Sequence, residues 1–243
     1  MTRVFAEGPC EVGGTVVLRR EEHRYLASVR RHRPGDEVEV RDDAGGRFRA
    51  VIARLGRGES AVEIIERLDP APAGAPVRVL SAVPKRNLMD GVVRRLSELG
   101  VMSLVPVITG RSVVDPGEGK LERWRRIAEE SVRQCGRRSP LEIADPVDLE
   151  TAVVGEREAG IRLVLHPEEG ALPIREVAKA GMAEPVVVAI GPEGGFTGAE
   201  LSLFEANGFT RVSMGGVIMR VETAIVAVCA VAVAFCGEIL LQP

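Results

Sequence analysis

The chain up to about Leu68 alternates between apolar and polar positions in short runs, the pattern of half-buried β-strands. The runs are TVVL, DEVEVRD, RFRAVIARL and SAVEIIERL, and DDAGG between the second and third indicates a hairpin turn. REEHRYLASV among them has the composition of one short helix. The pattern predicts a small, mostly β barrel at residues 1–70.

A linker is predicted at residues 71–76, because the stretch DPAPAGAP holds three prolines and no large apolar residue. Beyond it, strand patterns (VRVLSAV, SLVPVI, IRLVLH, PVVVAI, RVSM) alternate with helix patterns (NLMDGVVRRLSELG, EGKLERWRRIAEESVRQCG, LSLFEANG). Continuous apolar strands such as PVVVAI are typical of parallel sheets that are buried on both faces. Residues 77–243 are therefore predicted to form an α/β domain with a parallel sheet.

The run AIVAVCAVAVAFC at residues 224–236 is almost wholly apolar and lies between Glu222 and Glu238. It has about 13 residues, whereas a membrane-spanning helix needs about 20. The run predicts a helix buried on most sides, either in a core or between subunits, and no membrane anchor.

Composition narrows the possible classes of function. The 243 residues carry a net charge of −3, so no global basic field attracts nucleic acid and any RNA contact must come from local patches. Four cysteines without a CxxC pair and three scattered histidines argue against a metal site. The N-terminal residues lack the apolar core of a signal peptide, so we expect a cytoplasmic protein with reduced cysteines.

Three loops follow predicted strands, where ligands bind in open α/β sheets: LHPEEG, IGPEGGF and MGGVIMRVETA. The glycines of the second loop let backbone approach a ligand, although a plain strand-to-helix turn would also need them. Thr197 and Glu200 form a T-x-x-E capping box that starts a helix there. The loop matches neither GxxxxGK[ST] nor GxGxxG and holds no lysine, which argues against a nucleoside triphosphate or a dinucleotide as its ligand.

In the third loop, Arg220 and Glu222 stand just before the apolar helix. Arg220 is well placed to hold an anion. Glu222 favours the positive end of the helix dipole, and Thr223 is a candidate helix cap.

Two arginine clusters are candidates for contacts to RNA phosphates, although a solvated face is the ordinary role of such clusters. The candidates are Arg24, Arg30, Arg31 and Arg33 in the first domain, and Arg126, Arg133, Arg137 and Arg138, with Arg123 and Arg125 beside them, in the second. Aromatic residues make up 3% of the chain, which argues against base-stacking platforms.

VVVAIGPEGGFTGAEL, followed some 20 residues later by VSMGGVIMRVETA, resembles the ribosomal small-subunit methyltransferase E (RsmE) family. RRHRPGDEV, LSELGV, GRSVV, RWRRIAEESVRQCGRRSPLEI and LVLHPEE agree in order, so the resemblance covers nearly the whole chain. It implies a PUA-like β-barrel followed by a SPOUT-type α/β domain with a trefoil knot. It also implies a homodimer that methylates N3 of a uridine in 16S rRNA of the small ribosomal subunit, at nucleotide 1498, from S-adenosyl-L-methionine (SAM).

The resemblance implies which residues form the site. The expected SAM-binding residues are Leu165, His166, Pro167, Ile190, Gly191, Pro192, Glu193, Gly194, Gly195, Met214, Gly215, Val217, Ile218, Met219 and Arg220, with Glu168 nearby. The expected catalytic residues are Arg220, Glu222 and Glu193, for stabilising the uridine anion and accepting its proton. The family commonly has threonine where this chain has Val221.

Two other functions fit the same sequence. One is a SPOUT methyltransferase that acts on another RNA nucleotide, because the loops do not identify the base. The other is a non-catalytic RNA-binding factor for ribosome assembly. The intact GPEGG and RVETA loops argue for activity.

Overall fold

The chain divides into two units, Met1–Pro72 and Ala73–Pro243, each with its own hydrophobic core. The computed structural model describes residues 1–70, 74–114, 116–135, 137, 139–166, 170–179 and 185–236, without the side chains of residues 133, 178 and 179. The division falls within the expected linker, but residues 75 and 76 already belong to the first strand of the second unit.

The first unit is one five-stranded sheet with a short helix. Its elements are β1 (Thr2–Phe5), β2 (Thr15–Arg19), α1 (Arg20–Arg24), β3 (Glu37–Arg41), β4 (Arg47–Leu55) and β5 (Glu59–Arg67). The strand order is β1-β3-β4-β5-β2, parallel at β1–β3 and antiparallel elsewhere. A π-helical turn, Tyr25–Val29, continues α1, so the expected short helix is present.

Strand β3 buries charge as well as apolar side chains. Alternation places Val38 and Val40 in the core, and both are fully buried. On the opposite face, Glu39 is 4% exposed and accepts hydrogen bonds from Arg41 Nε at 2.8 Å and Arg47 Nε at 3.0 Å. Burial alone would raise the pKa of Glu39, but the hydrogen bonds from Arg47 and Arg41 outweigh it and hold the pKa at about 2.

Glu39→Gln is expected to lower the free energy of unfolding of the first unit by about 3 kcal/mol at pH 7. The pKa of Glu39 is lower in the folded state than in the unfolded state. Its carboxylate therefore stabilises the fold at pH values above the unfolded-state pKa, and this stabilisation is lost as the pH falls through about 2. The measurement is hydrogen–deuterium exchange of peptides from β3 and β4. The control is Glu37→Gln, which removes an exposed partner of Arg49 and should change little. Equal effects of the two variants would contradict the prediction.

The second unit is an eight-stranded sheet in which all pairs are parallel, as predicted. Its strands are β6 (Ala75–Ala82), β7 (Val101–Ile108), β8 (Glu142–Ile143), β9 (Val147–Asp148), β10 (Ile161–Leu165), β11 (Leu172–Pro173), β12 (Val186–Ile190) and β13 (Thr210–Ser213). The order is β11-β13-β10-β12-β6-β7-β8, with β9 also pairing β7. Strand β12 is buried along its whole length, as its apolar run predicts.

Helices cover both faces of this sheet: α2 (Leu88–Leu99), α3 (Glu118–Cys135), α4 (Leu149–Gly155), α5 (Ile174–Lys179), α6 (Gly198–Ala206) and α7 (Val221–Phe235). Helix α2 ends at Gly100, whose φ of +88° gives the expected left-handed cap. The capping box of α6 is also confirmed, since Glu200 N donates to Thr197 Oγ1 and Thr197 N donates to Glu200 Oε2.

Helix α7 is the predicted apolar helix, and it packs against α2, β6 and β12. Ile225, Val228 and Cys229 are fully buried, and burial raises the pKa of the Cys229 thiol. The prediction that Thr223 caps the helix is wrong. The helix begins after Arg220, and Thr223 lies exposed in its first turn. Among the described residues, no helix meets the length and hydropathy of a membrane span.

Candidate active site

A cavity of about 610 Å³ lies at the carboxyl ends of β6, β10, β12 and β13. These four strands are neighbours or near neighbours in the parallel sheet, so the segments that follow them meet at one edge. All three predicted loops line the cavity, together with the segment that follows β6 and the first turn of α7.

Most of the residues expected to bind the cofactor are brought together here. Those that line the cavity are Leu165, His166, Ile190, Gly191, Pro192, Glu193, Gly195, Met214, Gly215, Val217, Ile218, Met219 and Arg220, together with Glu222. Gly194 belongs to the same turn but is not in the cavity wall. Pro167 and Glu168 lie outside the described residues.

The turn after β12 is closed by its glycines over a buried aromatic ring. A Cβ at Gly191 would lie 3.2 Å from the ring of Phe196, and Gly195 has a φ of +69°. Phe196 is 4% exposed and packs edge-on against Phe204, with ring centroids 4.8 Å apart. The turn therefore follows a path that a side chain at position 191 would obstruct.

The same turn is tied to the segment after β6. The carboxylate of Glu193 accepts a hydrogen bond from the backbone N–H of Lys85 at 3.0 Å. The carboxylate therefore connects two walls of the cavity, and the expected action of Glu193 on the substrate stays a prediction.

A second tie comes from the segment after β7. Arg111 Nη1 donates to the carbonyl of Gly194 at 2.6 Å, and Gly110 N donates to Glu200 Oε1 at 2.7 Å. These contacts join residues far apart in the chain and were not predicted from the sequence, although Arg111 belongs to the GRSVV motif. The turn that lines the cavity is thus fixed from two neighbouring strands, which prepares it for a ligand.

Arg220 and Glu222 line the cavity from the start of α7. Arg220 is exposed, and it forms no ion pair with any residue that the structure describes. Glu222 is half-buried in the first turn of the helix, where a negative charge is favourable. Val221 between them is buried, so the chain uses an apolar side chain where the family commonly has a hydroxyl.

Four residues of the cavity wall lie outside the three predicted loops: Lys85, Arg86, Leu88 and Ser213. Phe196, Val221 and Ala224 belong to those loops but were not among the predicted SAM-binding residues. Lys85, Arg86 and Leu88 follow β6, whose neighbours in the sheet are β12 and β7. The signal available in the sequence was the pair of cations directly after an apolar strand, in VRVLSAVPKR.

The predicted RNA-binding arginines differ in their surroundings. Arg24, Arg30, Arg31 and Arg33 of the first unit are exposed, as is Arg126 on α3. Arg137 is 6% exposed and donates to the carbonyl of Ser97, so its assignment to an RNA surface is wrong. The side chain of Arg133 and all of Arg138 lie outside the described residues. Arg123 and Arg125 are paired with Asp90 and Asp145.

Comparisons with known proteins agree with this architecture. Residues 71–233 match the RNA methyltransferase domain model, and residues 18–65 match the RNA methyltransferase PUA domain model. The chain is 32% identical to ribosomal RNA small subunit methyltransferase E of Synechocystis sp., covering 88% of this chain and 71% of the relative. It is 31% identical to the same enzyme of Aquifex aeolicus, covering 92% and 96%.

Two solved structures with the same fold carry a bound cofactor. Ribosomal RNA small subunit methyltransferase E from Neisseria gonorrhoeae, bound to S-adenosyl methionine, has a TM-score of 0.76 and 25% identity, over 95% of each chain. Methyltransferase Lpg2936 from Legionella pneumophila, in complex with SAM, has a TM-score of 0.75 and 28% identity, over 96% and 98%. The predicted fold class, a PUA-like unit followed by a SPOUT-type α/β unit, is confirmed, and the trefoil knot stays a prediction.

Proposed function

Because this chain belongs to the ribosomal RNA small subunit methyltransferase E family, we propose that it methylates N3 of a uridine in 16S rRNA, with SAM as the methyl donor. By family resemblance, the uridine is at rRNA nucleotide 1498. The observation that carries the proposal is the convergence of three loops, Arg220 and Glu222 on one cavity.

The cavity fits SAM in size and in chemistry. Its volume of about 610 Å³ is in the range of small-molecule sites. Leu165, Ile190 and Ile218 offer apolar surface to an adenine ring, and the bare backbone at Gly191 leaves room for close approach. Glu193 and Glu222 place negative charge in the wall, which suits a sulfonium. Val217 and Ile218 are 81% and 86% exposed, so a ligand in the cavity would cover apolar surface that now faces solvent.

SAM supplies, when bound, a methyl group that is activated by its attachment to a positive sulfur. The protein must orient the uridine and remove the proton from its N3, because only the deprotonated nitrogen is nucleophilic. We assign Arg220 to stabilising the negative charge of the uridine base, and Glu222 to accepting the N3 proton. Both side chains line the cavity from one end of α7.

The partners of this function are the small ribosomal subunit and a second copy of the chain. We propose a homodimer that uses the outward face of α7. This helix is mostly apolar, and its last residue, Phe235, is 49% exposed. The exposed arginines of the first unit and Arg126 would contact RNA phosphates. Because the proposed substrate is RNA of the small ribosomal subunit, we expect the protein to act in the cytoplasm.

The test combines methyl transfer with location of the methyl group. Small subunits that lack the modification are incubated with the protein and SAM carrying an isotope-labelled methyl group. Nuclease digestion and mass spectrometry should then find one labelled N3-methyluridine at nucleotide 1498. A label on another nucleotide would indicate a different RNA target. SAM binding by calorimetry without any transfer would indicate an assembly factor.

A further inference from the structure

Two cations that the catalytic proposal does not use stand in the wall of the same cavity. Lys85 and Arg86 follow β6, and both are exposed. Neither forms an ion pair with a residue in the described part of the chain. Their charges are therefore available to a ligand that enters the cavity.

The backbone of this pair is held in place. The N–H of Lys85 donates to the carboxylate of Glu193 at 3.0 Å, which anchors the pair to the turn after β12. Arg86 has a φ of +63°, a left-handed conformation that is uncommon for residues other than glycine. Residues kept in such conformations cluster at ligand sites, where the surrounding structure compensates for the strain.

The charges of the cavity wall point to an anion. Three positive charges in the wall, on Lys85, Arg86 and Arg220, exceed the two negative charges of Glu193 and Glu222, and a sulfonium needs no positive charge nearby. Arg220 is assigned to the uridine base, which leaves Lys85 and Arg86 without a ligand. An RNA substrate carries a phosphodiester on each side of every nucleotide, and lysine and arginine are its usual contacts.

We propose that Lys85 and Arg86 bind a backbone phosphodiester of the RNA next to the target uridine, and that Glu193 is a positioning residue that holds them there. This inference rests on the proposed function, because it needs an RNA strand at the cavity. It adds the segment after β6 to the arginine clusters that the sequence predicts as phosphate contacts: the turn after β12 has no lysine, but this neighbouring segment supplies Lys85.

The test is binding of a 16S rRNA fragment containing nucleotide 1498 to the full-length variant Lys85→Ala/Arg86→Ala, over a series of salt concentrations. The RNA Kd should rise about tenfold at low salt. The slope of log K against log salt should shrink by about 0.7, which corresponds to one lost phosphate contact with a single strand. The Kd for SAM, from calorimetry, should change less than about twofold. A fall in SAM affinity with unchanged RNA binding would assign the pair to the SAM carboxylate and overturn the proposal.

A matched control removes a cation elsewhere on the same unit. Arg175→Ala takes away a side chain on α5 that is 77% exposed and pairs with its neighbour Glu176. It should leave the RNA Kd and the salt slope unchanged. An equal loss in this control would show that only the overall charge matters, which would also overturn the proposal.

Glu193 is tested by two substitutions that separate its roles. Glu193→Ala removes the acceptor of the Lys85 N–H and should weaken RNA binding, whereas Glu193→Gln keeps an oxygen acceptor and should restore it. Equal RNA affinity in both variants would contradict positioning. RNA binding is measured without methyl transfer, so this result stands apart from the proposed function, which fails if the unaltered protein does not methylate the uridine at nucleotide 1498.

Discussion

Arg220→Ala is expected to lower kcat for uridine methylation by about 10²–10³-fold, which is the usual effect of removing one donor that stabilises a developing negative charge. Arg220 lines the cavity, and its guanidinium has no carboxylate partner among the described residues. The Kd for SAM should change much less than kcat, because the interaction with the uridine forms only when RNA is bound. Single-turnover kinetics with small subunits and calorimetry with SAM measure the two effects.

Two further variants make this result specific. Arg220→Lys keeps the positive charge but loses the planar guanidinium and its paired N–H donors, so its kcat should lie between those of Arg220→Ala and the unaltered protein. Thr223→Ala alters the same turn of α7 outside the cavity wall, and it should leave both kcat and the Kd for SAM unchanged. The side chain of Arg220 makes no capping hydrogen bond, so its removal should not unfold the helix. A variant Arg220→Ala with normal kcat would exclude the catalytic assignment.

Gly191→Val is expected to weaken SAM binding by about 100-fold. A Cβ at this position would lie 3.2 Å from the ring of Phe196, which is 4% exposed and packed edge-on against Phe204. We therefore expect the turn or the ring to shift, which changes the shape of the cavity that both residues line. Forcing a larger side chain into a packed site costs about 1–3 kcal/mol, and the upper value corresponds to the expected loss.

Gly198→Ala is the matched control for this substitution. Gly198 follows the same turn, but a Cβ there meets no atom within 4 Å, and the residue begins α6, where alanine is favourable. Calorimetry should give the unaltered Kd for this variant. Normal SAM binding by Gly191→Val, with a folded protein by circular dichroism, would show that the turn after β12 does not form the SAM site.

Local sequence signals predicted the elements of this fold because those elements depend on near neighbours in the chain. The apolar run of β12 needs burial on both faces, and Gly100 is suited to a left-handed helix end. The reciprocal bonds of Thr197 and Glu200 lie within one turn of α6. Where local signals were ambiguous, prediction failed, as for the helix start assigned to Thr223.

Charged side chains were harder to place, since their surroundings come from distant parts of the chain. The alternation of β3 places Glu39 on the face opposite the core, where a strand residue is usually exposed. It is nevertheless buried, in ion pairs with Arg41 of β3 and Arg47 of β4. Arg137 belongs to an arginine-rich stretch, yet it is enclosed beside α2. Charge alone predicts a solvated position for Glu39 and a solvated or RNA-binding position for Arg137. Only the packing shows that both side chains are buried.

The sequence by itself determined the two units, the alternation of strands and helices, the three loops of the cavity and the family. Tertiary structure decided which other residues share that cavity. Lys85 and Arg86 come 104 or more residues before the turn at 190–196, and they reach it only because β6 lies beside β12 in the sheet. Strand order is set by the packing of the whole unit and not by neighbours along the chain. The sequence therefore shows Lys85 and Arg86 only as cations after a strand, and the sheet was needed to assign them to the cavity that Arg220 also lines.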